Sequence, residues 1–211
     1  MGFTVAIDGP AASGKGTIGR AVAKFFGYLH LDTGLIYRAV AYLAADQGQG
    51  VIDIPNAIEI AKNFKPSYLE LENLRTTEVA INASGIATIP EIREELVNFQ
   101  RAFAQKNPGV VIDGRDIGTV ICPKAEVKLF VTASLNARVR RRYEELLRID
   151  ETTQMDKIQE DLKARDDRDK KRNVAPLKIS RDAHLIDTTE LSIEASIARA
   201  ISIIDERRSN S

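Results

Sequence analysis

Five apolar runs punctuate the chain, at Phe3–Asp8, Leu29–Leu31, Val110–Asp113, Val127–Val131 and His184–Asp187. Continuous apolar runs of this kind predict parallel strands buried on both faces. Helical patterns lie between them. Ile18 to Phe26 is one, and Ser134 to Arg148 places Leu135, Val139, Tyr143 and Leu146 on one face. Thr88-Ile89-Pro90-Glu91 reads as a capping box that opens a helix closed by Asn107-Pro108-Gly109. The last helix, from about Ser192 to Arg207, carries Ile197, Ile201 and Ile204 on its inner side. Strands alternating with helices predict an α/β fold in three layers. A five-stranded parallel sheet would be covered on both faces, with ligands beyond the carboxyl ends of the strands.

Two stretches break this rhythm. Lys62 to Ala83 has short mixed segments such as Tyr68-Leu69-Glu70-Leu71 and no strong period, which predicts a small insertion. Lys163 to Arg172 is almost wholly charged. Such a run is ordinarily a solvated helix face. Here Asn173-Val174-Ala175-Pro176-Leu177 breaks the helix before the next strand, leaving the run room to move as a flap.

Composition narrows the chemistry mainly by exclusion. At 211 residues, 44% hydrophobic and 28% charged, the chain can bury the core of one α/β domain. Thirty basic residues balance thirty acidic ones, so no overall field argues for nucleic acid or a membrane surface, and an anion site must come from local clustering. No segment approaches membrane-spanning length. Cys122 is the single cysteine; it allows no internal disulfide, fits a reducing cytoplasm and reads as a buried filler. Two histidines and one cysteine argue against a protein-built zinc site.

The strongest candidate chemistry lies in Gly9-Pro10-Ala11-Ala12-Ser13-Gly14-Lys15-Gly16-Thr17, which follows the first predicted strand and opens a helix. That context fits a phosphate-binding loop. Glycines allow amide N–H groups to surround an anion, the helix adds its positive end, and Lys15 adds a point charge. Gly16 separates Lys15 from Thr17, so the strict lysine-then-hydroxyl pattern is not met.

Further candidates follow the other strands. In Asp32-Thr33-Gly34-Leu35-Ile36-Tyr37-Arg38, Thr33 suits a helix cap and Arg38 an anion ligand. Asp113, ending the third predicted strand, suits the orienting of magnesium or its waters; its plainer alternative is a turn before Gly114. Arg115 would project into the same crevice, and Asp116 could accept hydrogen bonds from a substrate base. Arg165, Arg168 and Arg172 on the flap suit dispersed phosphoryl charge, with water excluded when the flap closes.

Four of these motifs, in this order, resemble bacterial cytidylate kinase: Ile-Asp-Gly-Pro-Ala-Ala-Ser-Gly-Lys-Gly-Thr, Leu-Asp-Thr-Gly-Leu-Ile-Tyr-Arg, Asp-Gly-Arg-Asp-Ile-Gly-Thr and Arg-Asp-Asp-Arg-Asp-Lys-Lys-Arg. The Lys-Gly-Thr ending is similar to that of nucleoside monophosphate kinases generally. The resemblance implies a P-loop kinase fold in a single domain, residues 1–211, with a CMP-binding region at about 33–106 and a lid at about 154–176. It implies transfer of a phosphoryl group from ATP to CMP or dCMP with Mg2+, by a cytoplasmic monomer. Gly9 to Thr17 would hold the ATP phosphates, and the helix bearing Arg138 and Arg142 would pack on adenine beside Asp187-Thr188-Thr189. Thr33, Arg38, Arg115 and Arg165 would meet the CMP phosphate, and Asp169 the ribose. Ser84, Arg93 and Asp116 would read cytosine, with Arg172 nearby. Lys15, Arg115, Arg165, Arg168 and Arg172 would carry the catalysis, and Asp113 would meet the metal through water. The three-stranded insertion common in that family would be shortened here between Lys62 and Ser84. Another small P-loop kinase is the nearest alternative; a GTP-binding switch lacks its Asn-Lys-x-Asp segment here.

Overall fold

The computed structural model describes residues 2–45, 50–148 and 151–209; the remaining positions of the expected 1–211 domain lie outside the described residues. All five predicted strands form: β1 (Phe3–Asp8), β2 (Leu29–Asp32), β3 (Gly109–Gly114), β4 (Val127–Thr132) and β5 (His184–Asp187). They make one parallel sheet in the order β2-β3-β1-β4-β5. The register aligns their carboxyl ends, pairing Asp8 with Gly114, Asp32 with Asp113 and Thr132 with Asp187. Four aspartates therefore gather along one rim of the sheet, where the connecting loops emerge.

The helices are α1 (Lys15–Phe26), α2 (Thr33–Ala44), α3 (Ile54–Lys62), α4 (Thr77–Ile86), α5 (Pro90–Ala104), α6 (Leu135–Leu147), α7 (Met155–Lys171) and α8 (Ile193–Ser209). Strand alternation divides the core. Ala6, Leu31, Val110 and Ile112 face helices α2 to α5, whereas Val5, Ile7, Val111, Leu129 and Ile186 face α1 and α8. Ile7 and Ile112 are fully buried, so truncating either to alanine costs about 2–5 kcal/mol. Cys122 lies in the first of these clusters, and burial pushes its thiol up to about 11, as befits a filler. A third, smaller cluster joins Val139 of α6, Ile158 and Leu162 of α7, and Ala11 of the loop after β1. It ties the charged helix to the loop it overhangs.

Local signals were less uniform. Ser134 caps α6 by accepting the Ala137 N–H, as its position predicts. The capping box at Thr88 does not form: Ile89 takes the cap position, and the Thr88 hydroxyl donates to the Gly85 carbonyl instead. Competition from the preceding helix end explains the difference. Thr33 likewise does not cap. It is the first residue of α2, and its hydroxyl donates to the Asp113 carbonyl at 2.9 Å. Between Lys62 and Ser84 the described residues hold no strand, only a 3-10 turn at Pro66–Glu70 and the start of α4.

Candidate active site

The loop after β1 is shaped by close approach and by two left-handed residues. A side chain on Gly9 would meet the Val131 carbonyl oxygen at 2.0 Å, so only glycine lets the loop leave the sheet there. Ala12 (φ 58°) and Gly14 (φ 91°) turn the backbone back on itself, the arrangement that directs amides inward around an anion. The loop is also gripped from outside. Arg138 donates to the Ala11 carbonyl at 3.2 Å, and the Thr188 hydroxyl to the Ser13 carbonyl at 3.0 Å. Lys15 begins α1 and donates to the Pro10 carbonyl at 3.2 Å. Its burial, followed by the nearby Arg115 charge, pushes its pKa down to about 7.

A cleft of about 670 Å³ opens over this loop, walled by Arg38, Asp113, Arg115, Arg142 and Arg165. The walls are cationic and incompletely neutralised. Arg38 donates to the Leu74 carbonyl at 3.0 Å, and burial lowers its pKa to about 10. Arg165 projects from α7; among the described residues its buried Nε has no hydrogen-bond partner, and burial, then Arg115, lowers its pKa to about 9. Arg115 is the exception. Its Nε donates to Asp169 at 2.7 Å, and despite burial this pairing raises its pKa. Asp113 is buried beside Gly16, accepting from the His30 ring at 2.8 Å.

Behind the cleft lies a second polar cluster. Asp116 takes the Arg93 guanidinium at 2.5 Å and that of Arg172 at 3.3 Å. Arg168 donates to the Ser84 hydroxyl at 2.8 Å. Arg93 also lies over the Tyr37 ring, 5.7 Å from its centroid. Ser84, Arg93 and Asp116 are all nearly inaccessible to water. Through Arg168, Asp169 and the following Arg172, helix α7 and its C-terminal cap are thus bonded to α4 and to Arg115 and Asp116, just beyond β3.

A model of the cytidylate kinase family matches residues 5–206. The chain belongs to the cytidylate kinase family. A relative named cytidylate kinase from Cereibacter sphaeroides strain KD131 is 51% identical over 208 residues, covering 99% of this chain and 98% of its own. Another, from Sinorhizobium medicae, is 50% identical over 205 residues, covering 97% of each. Among solved structures, an uncharacterized protein from Eubacterium ventriosum aligns with a TM-score of 0.58 at 16% identity, covering 96% of this chain and 98% of that one. Shikimate kinase from Bacteroides thetaiotaomicron aligns at 0.51 with 14% identity, covering 96% and 98%. These two speak for the fold alone.

In this member of the cytidylate kinase family, the residues singled out from sequence divide between the cleft, a paired cluster beside it and two buried exceptions, Arg138 and Thr33. Ala11 to Thr17 of the loop, Arg38, Asp113, Arg115, Arg142 and Arg165 meet at the cleft, whereas Gly9 and Pro10 do not line it. Ser84, Arg93, Asp116, Arg168, Asp169 and Arg172 form the paired cluster behind it. Arg138 does not line the cleft. It is buried and engaged by Ala11, Ala133 and Asp166, so it braces the loop and helix α7 instead of lining the wall expected to face adenine. Thr33 is turned inward, onto Asp113.

Several functional-looking residues were not singled out. Asp8 accepts the Ile117 and Gly118 N–H groups at 2.8 Å each, pinning the segment after Arg115 and Asp116. Burial raises its pKa to about 6 in spite of those bonds. Its sequence signal was available, since Asp8 ends a strand as Asp113 does. Arg141 holds the Thr188 hydroxyl at 2.9 Å and also bonds the Thr188 carbonyl, on the wall expected to face adenine. Nothing in its spacing set it apart from Arg140 or Arg142.

Proposed function

We propose that this chain transfers the γ-phosphoryl group of ATP to CMP or dCMP, giving ADP and CDP or dCDP. An oxygen of the acceptor phosphate forms the new bond to the γ-phosphorus as the bond from that phosphorus to the β–γ bridging oxygen breaks. The acceptor phosphate is already anionic, so no side-chain base is required; positioning and charge stabilisation suffice.

The observation that carries this reading is the under-neutralised cationic wall. Lys15, Arg38 and Arg165 share one cleft, and burial lowers the proton affinity of all three. Two sets of phosphates between them would supply the missing counter-charge. The loop and Lys15 take the ATP phosphates, with Arg142 towards the adenine side. Arg38, Arg115 and Arg165 take the acceptor phosphate, while Asp169 is offered to the ribose. Asp116, Arg93, Ser84 and Arg172 offer the carboxylate, guanidinium and hydroxyl that cytosine's amino group and ring acceptors would satisfy. Helix α7 with its tail serves as the lid, about 154–176, and residues about 33–106 as the acceptor region of a single domain.

The donor set suits Mg2+. Among the described residues no three His, Cys, Asp or Glu groups assemble a cage. One buried carboxylate, Asp113, instead lies opposite Gly16 at the loop, the sparse arrangement that Mg2+ with retained waters and phosphates prefers. Asp113 would hold it through water. When bound, the ion neutralises charge on the β- and γ-phosphates. Among the described residues no helix is long and apolar enough to cross a membrane. A cytoplasmic monomer is the setting we propose.

Incubation with ATP, Mg2+ and CMP, followed by anion-exchange chromatography, should yield CDP and ADP one for one. ADP without CDP would overturn the assignment.

A further inference from the structure

His30 is absorbed by neither the ATP side nor the acceptor side of the site. It lies in β2 opposite Val111 of β3, two positions before the Asp32–Asp113 pair. Its ring turns to the α1 side of the sheet, where Nε2 meets Asp113 Oδ2 at 2.8 Å; 17% of the His30 side chain and 3% of the Asp113 side chain are exposed. A carboxylate can only accept, so the proton in this bond resides on His30 Nε2.

Helix α1 leaves room for the pair. A Cβ on Gly19 would come within 2.9 Å of His30 Nε2 and 3.5 Å of Asp113 Oδ2. One turn earlier, a Cβ on Gly16 would lie 3.9 Å from both Asp113 oxygens. Gly16 and Gly19 thus share a helix face, and the slot between them holds the carboxylate with the imidazole beneath it. The Asp113 main chain is fixed as well, by the Thr33 hydroxyl on its carbonyl. One carboxylate oxygen is tied to the ring, so the carboxylate plane is set and Oδ1 is left for whatever occupies the loop.

We infer that His30 is a positioning residue for phosphoryl transfer, fixing through its Nε2–H the orientation in which the Asp113 carboxylate meets the hydrated Mg2+ of bound nucleotide. The inference rests on the role of Asp113 given above. Groups that orient a metal-facing ligand in this way typically change metal affinity about 10–100-fold when removed.

The test measures the Mg2+ concentration giving half-maximal binding of a non-hydrolysable ATP analogue, by calorimetry, alongside CMP affinity and thermal melting. His30→Phe keeps a flat ring without a donor and should raise that concentration about tenfold or more, with CMP affinity unchanged. His30→Gln, which retains an N–H donor, should recover most of the loss. A folded His30→Phe protein within twofold of the parent would overturn the inference, as would equal loss in both variants. Asp113→Asn separates the two claims. If it leaves the Mg2+ dependence unchanged, the metal-facing role of Asp113 fails; if it alone raises it, only the inference about His30 fails.

Should His30→Phe not fold, the unaltered protein decides. It has two histidines, His30 and His184, so the ring nitrogens are assigned by comparison with His184→Asn. Nitrogen NMR should find His30 protonated at Nε2, with a shift that moves when Mg2+ joins the analogue complex. Protonation at Nδ1 alone, or an unmoved shift, would count against the inference.

Discussion

Arg115, just beyond β3, is clasped by Asp169 of α7, with Nε and Oδ2 2.7 Å apart and both side chains largely withdrawn from water. The clasp joins the cleft wall to helix α7. Burial alone would raise the Asp169 pKa, but Arg115 and then Arg165 hold it below the usual carboxylate range. A carboxylate with a depressed pKa contributes stability above its unfolded pKa and loses it as pH falls through the folded value. Arg115→Ala should therefore lower stability by about 3–5 kcal/mol near neutral pH, because it leaves a buried charge unpaired. The deficit should shrink as Asp169 protonates in acid. Turnover of the folded variant should fall about 100- to 1,000-fold. Melts across pH, with single-turnover rates, check both parts; a variant with unaltered melting and turnover contradicts them.

Lys15 offers a proton-linked signature. Its pKa of about 7 means that the ammonium is mostly neutral at pH 8 and charged below pH 6. A triphosphate beside it restores the charged form. Binding of a non-hydrolysable ATP analogue at pH 8 should take up a proton at Lys15, and the uptake should vanish below about pH 6. Calorimetry in buffers of different ionisation enthalpy measures it. Lys15→Met should fold, lose the uptake and lose phosphoryl transfer; uptake unchanged in that variant would assign the proton elsewhere.

Two arginines one turn apart on α6 should behave oppositely. Arg138 is buried against Asp166 at 2.7 Å, whereas Arg142 lines the cleft and pairs with the exposed Glu145 at 2.8 Å. Arg138→Ala should cost about 3–5 kcal/mol of stability by leaving Asp166 unpaired. Arg142→Ala should change stability by less than about 1 kcal/mol while raising the KM for ATP. Chemical denaturation and initial rates test the contrast, and equal melting of the two variants would remove it.

Asp116→Asn should raise the KM for CMP about ten- to a hundredfold, the worth of a charge-assisted hydrogen bond of about 1.5–3 kcal/mol. The KM for ATP should move little, because Asp116 lies in the cluster behind the ATP cleft, held between Arg93 and Arg172. Parallel increases in both constants would point to a general loosening of the fold.

The strands were legible because each centres on a short apolar run, mostly buried in the central strands β1, β3 and β4 and partly exposed in the edge strands β2 and β5, and their alternation with helices implied a parallel sheet. Arg38, Arg115 and Arg165 were legible as a group because loops beyond strand ends and charged runs are visible in sequence. Their partners were not. The clasp between Arg115 and Asp169 spans 54 residues, and no periodicity announces such a pairing. His30 is one polar residue inside an apolar run, with a role set by a neighbouring strand. Helix α4 is not legible in the sequence because Ala80, Ala83, Ser84 and Gly85 give it little apolar contrast. Thr88 carried the residues of a cap and used its hydroxyl on Gly85 instead.

The central claim is that a cationic cleft and the Asp116 cluster together select a cytidine monophosphate as phosphoryl acceptor. Initial rates of ADP release, with ATP and Mg2+ held constant and CMP, dCMP, UMP, AMP and GMP offered in turn, test it most directly. CMP and dCMP should show the highest kcat/KM. A preference for AMP, or ADP release indifferent to the monophosphate offered, would contradict it.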